Sequence, residues 1–164
     1  SVERSDFISL AELTDEVCCD LASIADQKKV ELIQEEGDCT VTGSYLLLYR
    51  AVYNLVENAI KYNHSGGKVT VKISQTKALP AAHSKPTDYA LVEVTDTGIG
   101  ISPEFQEKIF DQFFRVDKSR SRAMGGAGLG LALVNEIARQ HGGQVKVLAS
   151  SEQGSTIALV LPLS

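Results

Sequence analysis

The sequence predicts an α+β domain, a two-layer α/β sandwich whose mixed, mainly antiparallel sheet carries its helices on one face. Three observations predict it. Stretches with apolar residues three and four apart alternate with short runs of period two. The period-two runs come in pairs separated by helices, so neighbours can pair antiparallel while the helices stack on one side. The chain has 164 residues, 43% hydrophobic and 23% charged. That is enough for about one domain of ~150 residues, and no repeat or composition shift divides residues 1–164.

Ser9-Leu10-Ala11-Glu12 has capping-box spacing, the serine oxygen taking a free amide of the first turn while the glutamate reaches back. Leu13, Val17, Leu21 and Ile24 form the apolar stripe of a helix reaching about Lys28. Val30 to Glu35 and Cys39 to Thr42 read as the strands of a hairpin turning at Glu36-Gly37-Asp38. Ser44 caps a second helix, Tyr45 to about Tyr62, with Leu48, Val52, Leu55, Val56, Ala59 and Ile60 on a broad apolar face. His64-Ser65-Gly66-Gly67 ends it. Lys68 to Gln75 alternates, with Val69, Val71 and Ile73 on one face of a half-buried strand. Residues 76–88, with two prolines and no periodicity, read as a surface loop, and alternation resumes from Tyr89 to Thr95. Ser102-Pro103-Glu104 starts a short helix, proline suiting its first position. Leu129 to Gln140 makes a further helix that Gly142-Gly143 stops. Gln144 to Ala149 and Thr156 to Leu161 close the chain as a hairpin across Ser151 to Gly154.

Composition excludes several classes. No apolar run approaches the ~20 residues of a membrane helix, and Ser1-Val2-Glu3-Arg4 opens no signal peptide. This segment is therefore expected to make no direct membrane contact. A net charge of −5 argues against nucleic acid as a partner while leaving room for a local basic patch. Cys18 and Cys19 are neighbours whose side chains diverge by ~100° on a helix, and Cys39 stands alone. Thiols without paired spacing predict reduced cysteines in a cytoplasmic setting.

Chemistry concentrates in three segments. In the second helix Asn54, Asn58, Lys61 and Tyr62 fall at i, i+4, i+7 and i+8, on one side of the rod. Asparagine is a poor helix former, so two of them in mid-helix call for a reason. Amide oxygens suit a hard cation such as Mg²⁺, and lysine supplies a compact charge for phosphate. The plainer reading is a polar face capping a sheet edge. Next, Asp96-Thr97-Gly98-Ile99-Gly100-Ile101 follows a strand. Alternate glycines let the backbone bend and a flat ligand approach, and the aspartate can accept from an amino group. It lacks the third glycine of a dinucleotide fingerprint. Last, Gly125-Gly126-Ala127-Gly128-Leu129-Gly130-Leu131 opens a helix. Glycine costs ~1 kcal/mol relative to alanine in a helix, whereas exposed amides at a helix start bind anions. No Gly-Lys-Ser/Thr follows, so it is not a P-loop. Between the glycine segments lie Phe110-Asp111-Gln112-Phe113-Phe114-Arg115, then Lys118, Arg120 and Arg122, either a packed and solvated loop or polyanion contacts on a movable lid.

In this order, Asn-x-x-x-Asn-x-x-Lys-Tyr, Asp-x-Gly-x-Gly, a Phe-rich segment and Gly-x-Gly-x-Gly resemble the ATP-binding catalytic domain of sensor histidine kinases. These share the Bergerat fold with DNA gyrase, heat-shock chaperone and mismatch-repair ATPases. The resemblance runs from the first helix to Leu163, and Gly154-Ser155-Thr156 is similar to the family's final strand entry. It implies ATP and Mg²⁺, with Asn58 as the metal ligand and Asn54 supporting metal or phosphate. It implies Lys61 on phosphate, Tyr62 along the nucleotide, and Asp96 on the adenine amine. Gly98, Ile99, Gly100 and Ile101 would shape the pocket, and Thr156 would lie near adenine. Phe114 and Arg115, with Gly126, Ala127, Gly128, Leu129, Gly130 and Leu131, would frame a lid over residues 111–127 and its phosphate contacts.

The resemblance also implies a nucleophilic histidine followed by an acidic residue and soon by Arg-Thr-Pro or similar. His64-Ser65, His83-Ser84 and His141-Gly142 do not fit that pattern. The chain therefore reads as a catalytic fragment of a kinase with separate phosphoacceptor and dimerisation helices and a downstream response regulator, on the cytosolic side of its parent. Related ATPases carry a glutamate base where Asn54 stands. An amide cannot take a proton from water, so efficient hydrolysis is not expected. Asn54 and Glu57 are the candidate catalytic residues, Glu57 being the nearby carboxylate that would either polarise the acceptor imidazole or lie on the surface. Two other functions compete. Complete binding motifs weigh against a nucleotide-binding module without transfer. Lys61-Tyr62 and the Phe110 to Phe114 segment weigh against a serine kinase or ATPase of the same fold.

Overall fold

The computed structural model describes residues 6–78, 87–111 and 131–163. Both long helices start at a serine whose side chain replaces a missing backbone partner. In α1 (Leu10–Lys28) the Ser9 hydroxyl oxygen accepts from the Glu12 amide at 3.2 Å. Asp38 completes this cap from 27 residues away, accepting the Ala11 amide and the Ser9 hydroxyl at 2.9 Å each. Lys29, left-handed at φ 61°, ends the helix. In α2 (Tyr45–Lys61) Ser44 accepts from the Leu47 amide at 3.3 Å. The buried stripe of α1 is Leu10, Leu13, Val17, Leu21 and Ala25. Ile24, expected on that stripe, is 40% exposed. Burying leucines of this kind stabilises the fold by ~1.5–3 kcal/mol each.

Among the described residues the main sheet has five strands in the order β2-β4-β5-β7-β6. These are β2 (Glu31–Gln34), β4 (Lys68–Ala78), β5 (Thr87–Asp96), β6 (Gln144–Ser151) and β7 (Gly154–Pro162). Only the β2–β4 pair is parallel; the other pairs in this sheet are antiparallel. The layered α+β architecture is the one the sequence predicts. Val69, Val71 and Ile73 of β4, Ala90, Val92 and Val94 of β5, and Leu159 and Leu161 of β7 are buried in one core with the helices.

Three local expectations are corrected. The expected hairpin between residues 30–35 and 39–42 does not form. β2 bonds to β4, while β3 (Thr40–Gly43) pairs with β1 (Asp6–Ser9) in a separate ribbon. The loop expected over 76–88 is strand at both ends, because Thr76 pairs with Tyr89, Lys77 with Asp88 and Ala78 with Thr87. The expected short helix is two 3-10 turns, Pro103–Phe105 and Lys108–Phe110. The last helix, α3, is described over Leu131–Gln140, and Leu129 lies outside the described residues.

His141 closes α3 as a buried residue. Its Nδ1–H donates to the Ile137 carbonyl at 2.8 Å, and Nε2 accepts from the Ser44 amide at 3.1 Å. Those partners define the neutral tautomer and tie the end of α3 to the start of α2. Cys18, Cys19 and Cys39 are free. Burial, then Asp15 and Cys19, push Cys18 up to about 11. No helix among the described residues is long and apolar enough to cross a membrane.

Candidate functional site

The last turns of α2 face the end of β5 across a narrow cleft that opens to solvent. Helical spacing brings Leu55, Asn58, Ala59 and Tyr62 to one wall. Strand alternation brings Val94 and Asp96 from β5, and Ser155 and Ile157 from β7, to the floor. Ile99, Gly100 and Ile101 from the loop after β5, and Leu131 at the start of α3, complete the lining.

Among the described residues that line the cleft, Asp96 is the charged one. Its Oδ1 accepts the Gly98 amide at 2.8 Å and its Oδ2 accepts the Ser155 hydroxyl at 3.0 Å. Burial raises its pKa above the ordinary carboxylate value, opposed by those bonds and one from the Ser155 amide. A carboxylate has about four lone-pair sites, so with three of them used Asp96 retains about one for a ligand donor.

The loop after Asp96 is held at close quarters. Gly100 has φ 76°, and a Cβ there would run into the Ser151 carbonyl. A Cβ at Gly98 would meet the Tyr62 carbonyl oxygen at 2.7 Å. The Ile101 amide donates to the Ser150 hydroxyl at 2.7 Å, and its carbonyl accepts from the Gln106 side chain at 2.9 Å. The two glycines are therefore required by close backbone approach.

The structure brings Asn58, Tyr62, Asp96, Ile99, Gly100, Ile101 and Leu131 together, with Gly98 packed behind Tyr62. Asn54, one turn before Asn58, is partly buried and outside the cleft lining. Glu57 and Lys61 line a second groove with Ile24, Gln27, Lys28 and Ile60, where α1 meets α2. The Lys61 ammonium lies 5.3 Å from the centre of the Tyr62 ring. Thr156, expected near adenine, is corrected: its hydroxyl lies 2.9 Å from that of Thr95, on the sheet face turned away from the cleft. Ser155, one residue earlier, lines the cleft instead. Counting back in twos from Leu161 through Leu159 and Ile157 reaches Ser155, so the strand period carried the signal. Phe114, Arg115, Gly126, Ala127, Gly128, Leu129 and Gly130, and the lid over 111–127 beyond Asp111, lie outside the described residues. Asn63, adjoining Tyr62, is a buried polar residue that sequence reasoning missed.

Fold and cleft define a two-layer sandwich with a small-molecule site between helix and sheet, bounded by an amide-bearing helix and an Asp-x-Gly-x-Gly loop. Residues 43–164 match the family described as Histidine kinase-, DNA gyrase B-, and HSP90-like ATPase, and the chain belongs to that family. It is 41% identical over 139 residues to the sensor-like histidine kinase SenX3 of Mycobacterium tuberculosis, covering 84% of this chain and 32% of SenX3. It thus spans about a third of that curated relative's length. The mycobacterial sensor histidine kinase MprB superposes with a TM-score of 0.73 at 29% identity, over 96% of this chain and 97% of the MprB chain. Full-length ShkA, solved in complex with AMPPNP, matches with a TM-score of 0.75 at 25% identity, over 100% of this chain and 31% of ShkA.

Proposed function

We propose that this chain is the ATP-binding catalytic domain of a sensor histidine kinase. It binds ATP with Mg²⁺ and gives the γ-phosphoryl group to a histidine on a separate phosphoacceptor helix, upstream of a response regulator and on the cytosolic side. The observation that carries this reading is the buried Asp96 carboxylate in an apolar slot that also contains Asn58. SenX3 and MprB, both histidine kinases by name, support histidine as the acceptor over a hydroxyl.

In this reading Leu55, Ala59, Val94, Ile101 and Ile157 cover a flat base and exclude water, and Asp96 accepts its exocyclic amine. Base capture orients the phosphates toward the amide face of α2. Asn58 is the oxygen donor for Mg²⁺, with Asn54 one turn earlier in support. The donor set fits that ion: among the described residues no three His, Cys, Asp or Glu gather to form a cage, and Mg²⁺ takes most of its ligands from phosphate and water. When bound, it neutralises charge on the transferring group. Lys61, beside the cleft wall, is assigned to phosphate, and Arg115 with Gly126, Gly128 and Gly130 to the lid. Phosphoryl transfer requires chiefly positioning and charge neutralisation. Asn54 offers no base for water, so transfer outruns hydrolysis.

The test pairs calorimetry of ATP with and without Mg²⁺ with transfer of γ-labelled phosphate to an acceptor-helix fragment. Metal-strengthened binding is expected, with label on the acceptor histidine and none on His64, His83 or His141. Absence of binding at millimolar ATP, or stable label on any of those three histidines, overturns the reading.

A further inference from the structure

We propose that Asn63 is a positioning residue for adenine recognition, its buried carboxamide clamping the loop that carries Asp96 onto the end of α2. The inference rests on the assignment of Asp96 to the adenine amine. Asn63 is 6% exposed. Its Nδ2 donates to the Lys68 carbonyl at 2.9 Å. Its Oδ1 accepts both the His64 amide at 2.9 Å and the Thr97 hydroxyl at 3.2 Å. The Thr97 oxygen in turn accepts the Lys68 amide at 2.8 Å.

One side chain thus joins three segments: the end of α2, the start of β4 and the turn after β5. Both lone pairs of its oxygen are occupied, and a satisfied polar network inside a protein rigidifies what it joins. Space for it exists because residue 67 is glycine; a Cβ there would strike both Asn63 Oδ1 and Thr97 Oγ1. Thr97 lies between Asp96 and Gly98, and Asn63 directly follows Tyr62. The clamp therefore sets where the carboxylate stands relative to the Tyr62 wall, although Asn63 does not itself line the cleft.

The test compares ATP with purine riboside triphosphate, which lacks the exocyclic amine, by calorimetry on the wild type, N63A and T97V. Valine keeps the shape of Thr97 and removes only its hydroxyl, so it reports on the clamp even where N63A does not fold. The wild type is expected to prefer ATP by at least about tenfold, the scale of a hydrogen bond to a charged acceptor. In both variants the preference falls to about threefold or less, while binding of the amine-free analogue shifts by no more than about twofold. A wild type without preference overturns the reading of Asp96 itself. A wild type with preference, alongside variants that retain it, overturns the role of Asn63. Variants that weaken both nucleotides equally also overturn that role, because they reveal a brace for the fold alone.

Discussion

Replacing Asp96 with asparagine separates what the carboxylate contributes to binding from what its burial costs the fold. The folded protein holds the Asp96 proton more tightly than the unfolded chain, because burial raises its pKa and the three hydrogen bonds only partly restore it. The sign follows. The stability this group contributes is full below the ordinary value of about 3.9 and is lost as pH rises through the raised one. At neutral pH the ionised side chain is a liability, and an amide removes it. Asparagine can keep the Gly98 amide on Oδ1 while the Ser155 hydroxyl turns to accept from Nδ2. Melting temperature is therefore expected to hold or rise. Binding moves the other way. A hydrogen bond to a charged group contributes ~1.5–3 kcal/mol, which at ~1.4 kcal/mol per decade weakens ATP by about 10- to 150-fold. Calorimetry for affinity and differential scanning fluorimetry for stability read the two effects separately. The wild type also loses affinity as pH falls toward the raised Asp96 value, and the variant does so less. Binding within about twofold of wild type at neutral pH, or loss of binding together with loss of folding, refutes the reasoning.

Gly100→Ala forces an L-residue into φ 76° against the Ser151 carbonyl. The left-handed conformation alone costs ~1–2 kcal/mol, so a melting temperature lower by at least about 2 °C is expected, together with weaker ATP binding; an unchanged melt refutes it. Tyr45, Tyr49 and Tyr53 stack along α2 with ring centres 6.4 and 5.9 Å apart, and the first two donate to Glu16 and Asp20 of α1. Burial, then the neighbouring carboxylates, push Tyr45 up to about 12 and raise Tyr49 and Tyr53. Stability from these raised groups is full below the ordinary value of about 10 and is lost as pH climbs through the folded values. The urea midpoint should fall between about pH 10 and 12, and fall less in a Tyr45→Phe, Tyr49→Phe double variant; equal falls refute it. Glu57→Gln is expected to bind ATP as the wild type does, because Glu57 lies in the separate α1–α2 groove. A tenfold weakening, measured by the same calorimetry, would mean that groove and cleft communicate.

What the sequence made legible was local. The helices announced themselves because cap and stripe lie within a few residues of each other, as Ser44 and Leu47 do in α2. What depended on distant partners was hidden. β1 is four residues long and exists only through β3, and β2 takes its register from β4. The Asp38 cap on α1 comes from beyond the next strand. The same division runs through the site. Asn58, Tyr62 and Asp96 sit in contiguous motifs. Thr156 was misplaced because a shift of one residue along a strand turns every side chain to the other face. Helical spacing put Lys61 beside Asn58 and Tyr62, but spacing alone does not say which neighbour flanks that side of the rod. α1 does: Glu57 and Lys61 line the groove it makes with α2, while the Lys61 ammonium stays 5.3 Å from the Tyr62 ring.

The residues that sequence reasoning missed share one task. A turn with glycines at 98 and 100 gains close approach but gives up stiffness, since glycine has the most backbone freedom to lose. Left alone, such a turn would have to be ordered by the ligand, and affinity would fall by that ordering. Ser155 fixes one oxygen of Asp96, Ser150 fixes the amide of Ile101, and Asn63 with Thr97 fixes the side facing α2. Each contact reaches the motif loop from a different element: Ser155 from β7, Ser150 from β6 and Asn63 from the end of α2. A buried carboxylate that is unfavourable for the fold at neutral pH is thereby held in one direction before any ligand arrives. The adenine amine then meets an acceptor already aimed, and selectivity for the base follows from the brace as much as from the charge.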